Sequence, residues 1–230
     1  MSNVNYDPGN LVITLDGLET VANALGDVKK KTPAAAKVAI NATARQARRL
    51  MIAEAKARYA VNAAGQKHLK ELTQRKKATN SNLSAELYIS SFRNDLGYFE
   101  TQPNKPYMGK NVKNAPAHFR GHVLKSRPMI PLTGQGNLSK GFLVEFKNGH
   151  IGMVQRVIGS KSRNTVTYRS GVPRWKNALG NVEKLRTMGS PSATSMHNTI
   201  WPIVEPDVEM YLQQRLRQQV ERILEKEGKK

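Results

Sequence analysis

The stretch PAAAKVAINATARQARRLMIAEAKARYAV, residues 33–61, decides the fold class. It runs almost without a helix breaker. Ala36, Ile40, Ala44, Ala47, Met51 and Ala55 recur at steps of three and four, while Lys37, Arg45, Arg48 and Lys56 fall largely off that stripe. Thr32-Pro33 reads as an N-cap followed by proline at the first helical position. The spacing predicts one long helix to about residue 60. Its apolar face is mostly alanine, so a neighbouring backbone can approach closely.

Working outward, residues 16–31 predict a shorter helix. Asp16 is placed to cap it with Glu19 three residues on, and Leu18, Val21, Ala22 and Leu25 form its stripe. Asn62-Ala63-Ala64-Gly65 ends the long helix, and QKHLKELTQRKKATN is a candidate short helix. From Leu83 the period changes to two. In SAELYISSF, Ala85, Leu87, Ile89 and Ser91 alternate with Glu86, Tyr88, Ser90 and Phe92. LGYFE (96–100) and HFRGHVLKS (118–126) read as further strands, and residues 102–117 as a Pro/Asn/Gly/Lys-rich loop. FLVEFKNGHIGMVQRVIG (142–159) reads as a hairpin around Lys147-Asn148-Gly149. Phe142, Val144 and Phe146 line one face of it, and Met153 and Val157 line the other arm. A closing helix is expected over 205–227, with Val208, Leu212, Leu216, Val220 and Ile223 or Leu224 as its stripe and Glu205, Asp207 and Glu209 at its positive N-terminal end.

The plan is α+β: N-terminal helices over 11–60 including the long Ala-rich one, a small antiparallel sheet with long loops over 83–160, and a C-terminal helix over 205–227. The 230 residues are read as one domain, 1–230. There is no cysteine, so disulfides and thiolate chemistry are excluded, and no apolar run is long enough for a membrane span. Lys and Arg outnumber Asp and Glu by 37 to 17, a formal +20. That balance favours a polyanionic partner. Residues 27–77 hold 14 basic and 3 acidic residues, whereas 205–230 balances six against six.

Chemistry finds little support. His118 and His122 on a strand would stand about 13 Å apart, too far to share a metal. LTGQGNLSKG lacks the Gly-Lys-Ser/Thr of a phosphate loop and runs into a strand, not a helix. Glu100 and Glu145 are more readily salt-bridge partners than an acid–base pair. No enzyme activity, cofactor or metal is expected. Tyr88 and Phe92 on one strand face are a thin basis for a base-stacking platform. Backbone contact with nucleic acid needs only lysine and arginine.

Three stretches, in order, resemble the minor tail protein Z family of long-tailed bacteriophages, the lambda-type tail completion proteins. They are LDGLETVANALGDVKKKTPAAAKVAINATARQA (15–47), FLVEFKNGHIGMVQRVIGSKSR (142–163), and KLRTMGSPSATSMH (184–197) followed by the helix containing LQQRLRQQVERI (212–223). The segments 102–117 and 166–181 look longer than that family's pattern. The resemblance implies a structural virion protein at the head-proximal end of the tail, the neck. It would act in tail completion or termination and in head–tail joining. Made in the host cytoplasm, it would form a ring around the DNA path, hexameric by analogy. Its partners would be itself, the tail tube or terminator protein, the head–tail connector proteins and genomic DNA through non-specific backbone contact, with no membrane.

The candidate contact to DNA or to an acidic protein surface is Arg45, Arg48, Arg49 and Lys56, with Lys76 and Lys77. Gln155 and Arg156 are the candidate subunit contacts. A non-specific nucleic-acid-binding protein is the alternative.

Overall fold

The computed structural model describes residues 4–69, 73–89, 94–109, 111–162 and 176–228. Its elements are mixed helix and antiparallel strand, the expected α+β class. Chain contacts divide it into two compact units. The first holds residues 1–55, 69–92 and 192–230, and the second holds 56–68 and 93–191.

The first unit opens with strands β1 (Val4–Asp7) and β2 (Asn10–Ile13), an antiparallel pair turning at Pro8-Gly9. Gly9 takes φ +92°, a conformation that favours glycine in a tight turn. Helix α1 (Leu18–Leu25) follows. Asp16 is not at the N-cap position: Gly17 occupies it in a left-handed conformation and has no side chain to cap with. A 3-10 stretch, Gly26–Lys31, leads directly into α2 (Thr32–Arg58). Thr32 does not cap α2 either. Its hydroxyl donates back to the Lys29 carbonyl at 2.7 Å, joining the two helical segments. The stripe Ala36, Ile40, Ala44, Ala47, Met51 and Ala55 is wholly buried, as its spacing required. Methyl-sized side chains fill a narrow gap that leucines would overpack.

Helix α3 (Ala63–Leu69) is followed by β3 (Thr73–Lys76) and β4 (Ala85–Tyr88). The short helix expected from Gln66 onward therefore starts earlier, and its second half is strand. β3 and β4 join the N-terminal hairpin in a sheet of order β1-β2-β4-β3. Ala85, Leu87 and Ile89 are buried on one face, while Ser90, Ser91 and Phe92 lie outside the described residues.

The second unit contains three small antiparallel sheets. β5 (Asn94–Asp95) pairs with β12 (Gly189–Ser190). β6 (Thr101–Gln102), β7 (Arg120–Gly121) and β8 (Ile130–Pro131) form the next. β9 (Phe142–Glu145), β10 (Ile151–Arg156) and β11 (Leu185–Thr187) form the third, in order β11-β10-β9. Leu96–Tyr98 is a 3-10 turn, not the expected strand, because the Asp95 carboxylate caps it through the Gly97 N–H at 2.7 Å. The strand expected over 118–126 shrinks to Arg120–Gly121. Residues 59–62 run extended between two neighbours: Ala60 N–H donates to Val123 O (2.9 Å), Glu100 N–H to Ala60 O (2.7 Å), and Asn62 N–H to Tyr98 O (2.9 Å).

Register corrects the hairpin faces. Phe142 stands opposite Val154 and Val144 opposite Gly152, whereas Met153 pairs with Leu143 on the other side. Leu143 and Met153 on one face and Val144 and Val154 on the other are all buried, so this sheet is covered on both sides.

The last helix, α4 (Ala193–Glu227), belongs to the first unit and starts well before the expected Glu205. Ser192 caps it, accepting from the Ser195 N–H at 3.1 Å. Pro202 and Pro206 lie inside it and leave the Asn198 and Pro202 carbonyls without helix donors; both residues are exposed, so water can serve them. The stripe Val208, Leu212 and Leu216 is buried as expected. Leu224 is exposed and Gln219 is buried in the stripe's continuation. Tyr6 ties β1 to α4, stacking on Trp201 at 5.4 Å and donating to Asn198 Oδ1 at 2.5 Å, with burial pushing its phenol up to about 12. Lys31 forms an ion pair with Glu227.

His197 on α4 is fully buried, and neither ring nitrogen has a partner. Burial alone lowers its pKa from 6.5 to about 4. The unfolded chain then takes up a proton before the folded one does. Stability contributed by the neutral ring is complete above pH 6.5 and is lost as pH falls toward 4. Urea unfolding should give a stability about 2–3 kcal/mol lower at pH 4.5 than at pH 7.5 from this group. In His197→Leu that share of the pH dependence should vanish; an unchanged profile would show that the ring is not the source.

Candidate functional site

Asn41, Arg45 and Arg48 recur at steps of four and three, which puts them on one side of α2, and Arg49 follows Arg45 by four. Arg45 and Arg49 are exposed and Arg48 is half-buried. The Asn41 side chain grips the chain just after β3 by donating to Ala78 O (2.9 Å) and accepting from Ala78 N–H (3.0 Å). This amide clamp ties to α2 the residue that follows the exposed Lys77. Lys76 is committed elsewhere, to Glu86 at 2.8 Å. Lys56 is half-buried and is counted with the second unit, where its carbonyl accepts from Lys125 Nζ at 2.7 Å. Of the six candidate cations, Arg45, Arg48, Arg49, Lys76 and Lys77 lie in the first unit and Lys56 in the second.

Charge is divided more unevenly between the units than along the sequence. The first unit holds 17 basic and 13 acidic residues, a formal +4, and the second holds 20 against 4, a formal +16. The basic run 27–77 gave no hint of this, because α4 returns six carboxylates to the first unit.

The four acids of the second unit are all occupied. Asp95 accepts from Gly97 N–H (2.7 Å) and Met153 N–H (2.9 Å) through Oδ1, and Oδ2 lies 3.0 Å from His150 Nε2. Glu100 stands 3.4 Å from His122 Nε2, while His122 Nδ1 lies 2.7 Å from the Arg127 carbonyl. Glu183 accepts from Gly159 N–H (2.9 Å) and Asn177 Nδ2 (3.4 Å). Glu145 also has an interaction partner.

A histidine held by a carboxylate can serve as a general base. His150, however, is stacked on Phe146 (5.8 Å) and against Tyr98 (4.8 Å), and its partner Asp95 is spent on two backbone amides. The pair locks the Leu96–Tyr98 turn onto β10. Gly152 is required there, since a Cβ would sit 2.4 Å from Asp95 Oδ2. His118 is exposed. No cluster of three or more His, Asp or Glu side chains suited to a metal occurs among the described residues. No helix among them is long and apolar enough to cross a membrane.

Gln155 is 8% exposed and donates to Ser139 O (3.0 Å) and Thr133 O (3.5 Å). Its amide bonds inside the unit, pinning the 133–139 loop to β10. Arg156 is half-buried, with its guanidinium 4.8 Å above the Phe142 ring. That pair lies on the wall of a cleft of about 330 Å³. Pro106, Tyr107, Met108, Phe119 and Val144 supply apolar lining, and Lys140, Lys176, Glu145 and Glu183 its charges. The Tyr107 hydroxyl donates to Asn111 O at 2.7 Å, which fixes the ring. Neither this cleft nor the Asp95 joint is apparent from hydrophobic period. Only Asp95-Leu96-Gly97, an Asp followed two residues later by Gly, carries a local turn signal.

No family model matches this chain, and no curated protein or solved structure matches it.

Asp95→Ala should cost about 3 kcal/mol, since two backbone donors and the imidazole lose their acceptor in a nearly buried place. Asp95→Asn should cost less, because the amide oxygen can keep the backbone donors while the imidazole switches tautomer. Chemical denaturation of both variants checks the order. Equal losses would remove the Asp95–His150 contact from the account.

Proposed function

We propose that the chain is a structural virion protein of the phage tail neck, acting in tail completion and head–tail joining as a ring around the DNA path. The observation that carries this reading is where the resembling stretches fall. Residues 15–47 form α1 and the first half of α2, 142–159 form the β9–β10 hairpin, and 184–197 form β11, β12 and the start of α4. The hairpin stretch takes in both of its strands whole, the other two end inside α2 and α4, and together the three draw on both units. Arg45, Arg48, Arg49 and Lys77 suit an acidic tube or connector surface, to which charge complementarity would give registry and speed of association.

Immunogold labelling of purified tails should place the protein at the head-proximal end. Triple charge reversal, Arg45→Glu with Arg48→Glu and Arg49→Glu, should leave soluble folded protein but reduce head–tail joining at least tenfold in a complementation assay. Label elsewhere on the particle sinks the placement; normal joining by the triple variant sinks the patch.

The second reading is a non-specific nucleic-acid-binding protein, favoured by the +16 carried in the second unit. It requires tight duplex binding by the isolated chain that weakens steeply with salt. A gel shift from 50 to about 200 mM salt separates the two readings.

A further inference from the structure

We infer that the cleft in the second unit is a binding site for single-stranded nucleic acid, taking one unstacked base between Tyr107 and Phe142 with the adjoining phosphates on Lys140, Arg156 and Lys176. This goes beyond the virion reading and does not depend on it.

Three features of the unit carry the inference. The first is electrostatic. The unit carries 20 basic residues and only four acids, and three of those acids, Asp95, Glu100 and Glu183, already bond a group within the unit. A surface so short of counter-charge draws a polyanion from solution and binds it through release of condensed counterions. Lys105, Lys113, Arg120, Lys184 and Arg186 are exposed beyond the cleft and extend this positive surface.

The second is the chemistry of the walls. A purely electrostatic surface has no use for an apolar recess. This one offers two aromatic rings that are only partly covered, both held in position. Tyr107 is anchored by its hydroxyl bond to Asn111, and Phe142 by its strand and by the Arg156 guanidinium stacked on it. Rings fixed in advance lose little freedom when a base slides between or upon them. Arg156 has a further partner of its own and Lys140 Nζ donates to Ala117 O at 2.6 Å, so a phosphate would share these cations with the contacts they already make.

The third is size. About 330 Å³ lies at the small end of small-molecule sites, room for a flat heterocycle and not for a folded partner. A duplex keeps its bases paired and stacked, so it cannot insert one without an added cost of unstacking. A single strand presents bases and phosphates together, matching a recess that combines rings with cations. Glu145 and Glu183 also line the cleft. Carboxylates there disfavour phosphate at their own positions and leave the base edge, with its amino donors, as the part of a nucleotide that fits beside them.

The test uses the purified full chain and fluorescence anisotropy with four labelled probes: a thymidine 20-mer, a uridine 20-mer, a 20-base-pair DNA duplex and poly-glutamate. The expected result is tightest binding of one or both single strands, with the DNA and RNA arms deciding whether the sugar matters. Tyr107→Leu and Phe142→Leu should each weaken single-strand binding about tenfold at unchanged salt slope, because they remove a stacking face and no charge. Arg156→Gln should weaken binding and reduce the salt slope by about 0.7. The control Lys29→Gln with Lys30→Gln, in the first unit, should change neither. Urea unfolding of each variant confirms that its fold is intact, and the exposed Lys176→Gln offers a second charge variant with little packing at stake. Absence of single-strand binding at 50 mM salt overturns the inference. So does duplex or poly-glutamate binding as tight as single-strand binding, and so does affinity indifferent to both aromatic substitutions.

Discussion

The second unit is tied together by one carboxylate. Asp95 Oδ1 accepts two backbone N–H groups, from Gly97 and Met153, and Oδ2 holds His150. The first bond closes a 3-10 turn, the second fixes that turn to the middle of β10, and the third fixes the return of the hairpin. A charged acceptor in a nearly buried place makes each bond stronger than its neutral equivalent, and leaves each donor stranded if it is lost. In a unit whose strands are two to six residues long, ladders alone could not define the arrangement. Short sheets are instead joined by side chains that reach across: Asp95 to β10, Gln155 to the 133–139 loop, and Asn62 to the Gly97 and Phe99 carbonyls.

The same scarcity of acids shapes the electrostatics. With four carboxylates for 20 cations, the second unit keeps a large positive excess, even where cations such as Lys125 and Lys140 donate to backbone carbonyls, and that excess attracts a polyanion. In the first unit, 13 acids keep the charge near balance, and the clustered arginines of α2 stand out locally and not as part of a general excess. The two units thus offer different kinds of positive surface.

How far the fold was legible follows from the length of each pattern. The stripe of α2 spans several turns, and every position named from spacing is buried. In α4 the buried Val208, Leu212 and Leu216 were equally plain, but the helix was expected only from Glu205; it begins at Ala193 and runs through Pro202 and Pro206, its N-terminal turns capped by Ser192 and buried through Met196, Ile200 and Trp201. Strands β1 and β2 span four residues each, too few for alternation to register, and no strand was expected there. The site was less legible. Arg45, Arg48 and Arg49 share a side of α2 by arithmetic alone, but the Asn41–Ala78 clamp beside Lys77 and the pairing of Lys76 with Glu86 are contacts that spacing does not encode. Gln155 looked like a surface residue in an alternating strand; a sheet covered on both faces has no outward side for it. The cleft depends on residues 106, 119, 142 and 176 meeting, and no local pattern encodes that.

The interleaving of the two units along the chain has a consequence for synthesis. All of the second unit lies between residues 56 and 191, so it can close as soon as that stretch has left the ribosome. The first unit must wait. Its core is completed by Met196, Ile200, Trp201, Val204, Val208, Leu212 and Leu216 of α4, which are translated after the whole of the second unit. Until then α1 and β1, against which α4 packs, lack that cover, and the nascent chain is open to a chaperone, a protease or a wrong partner.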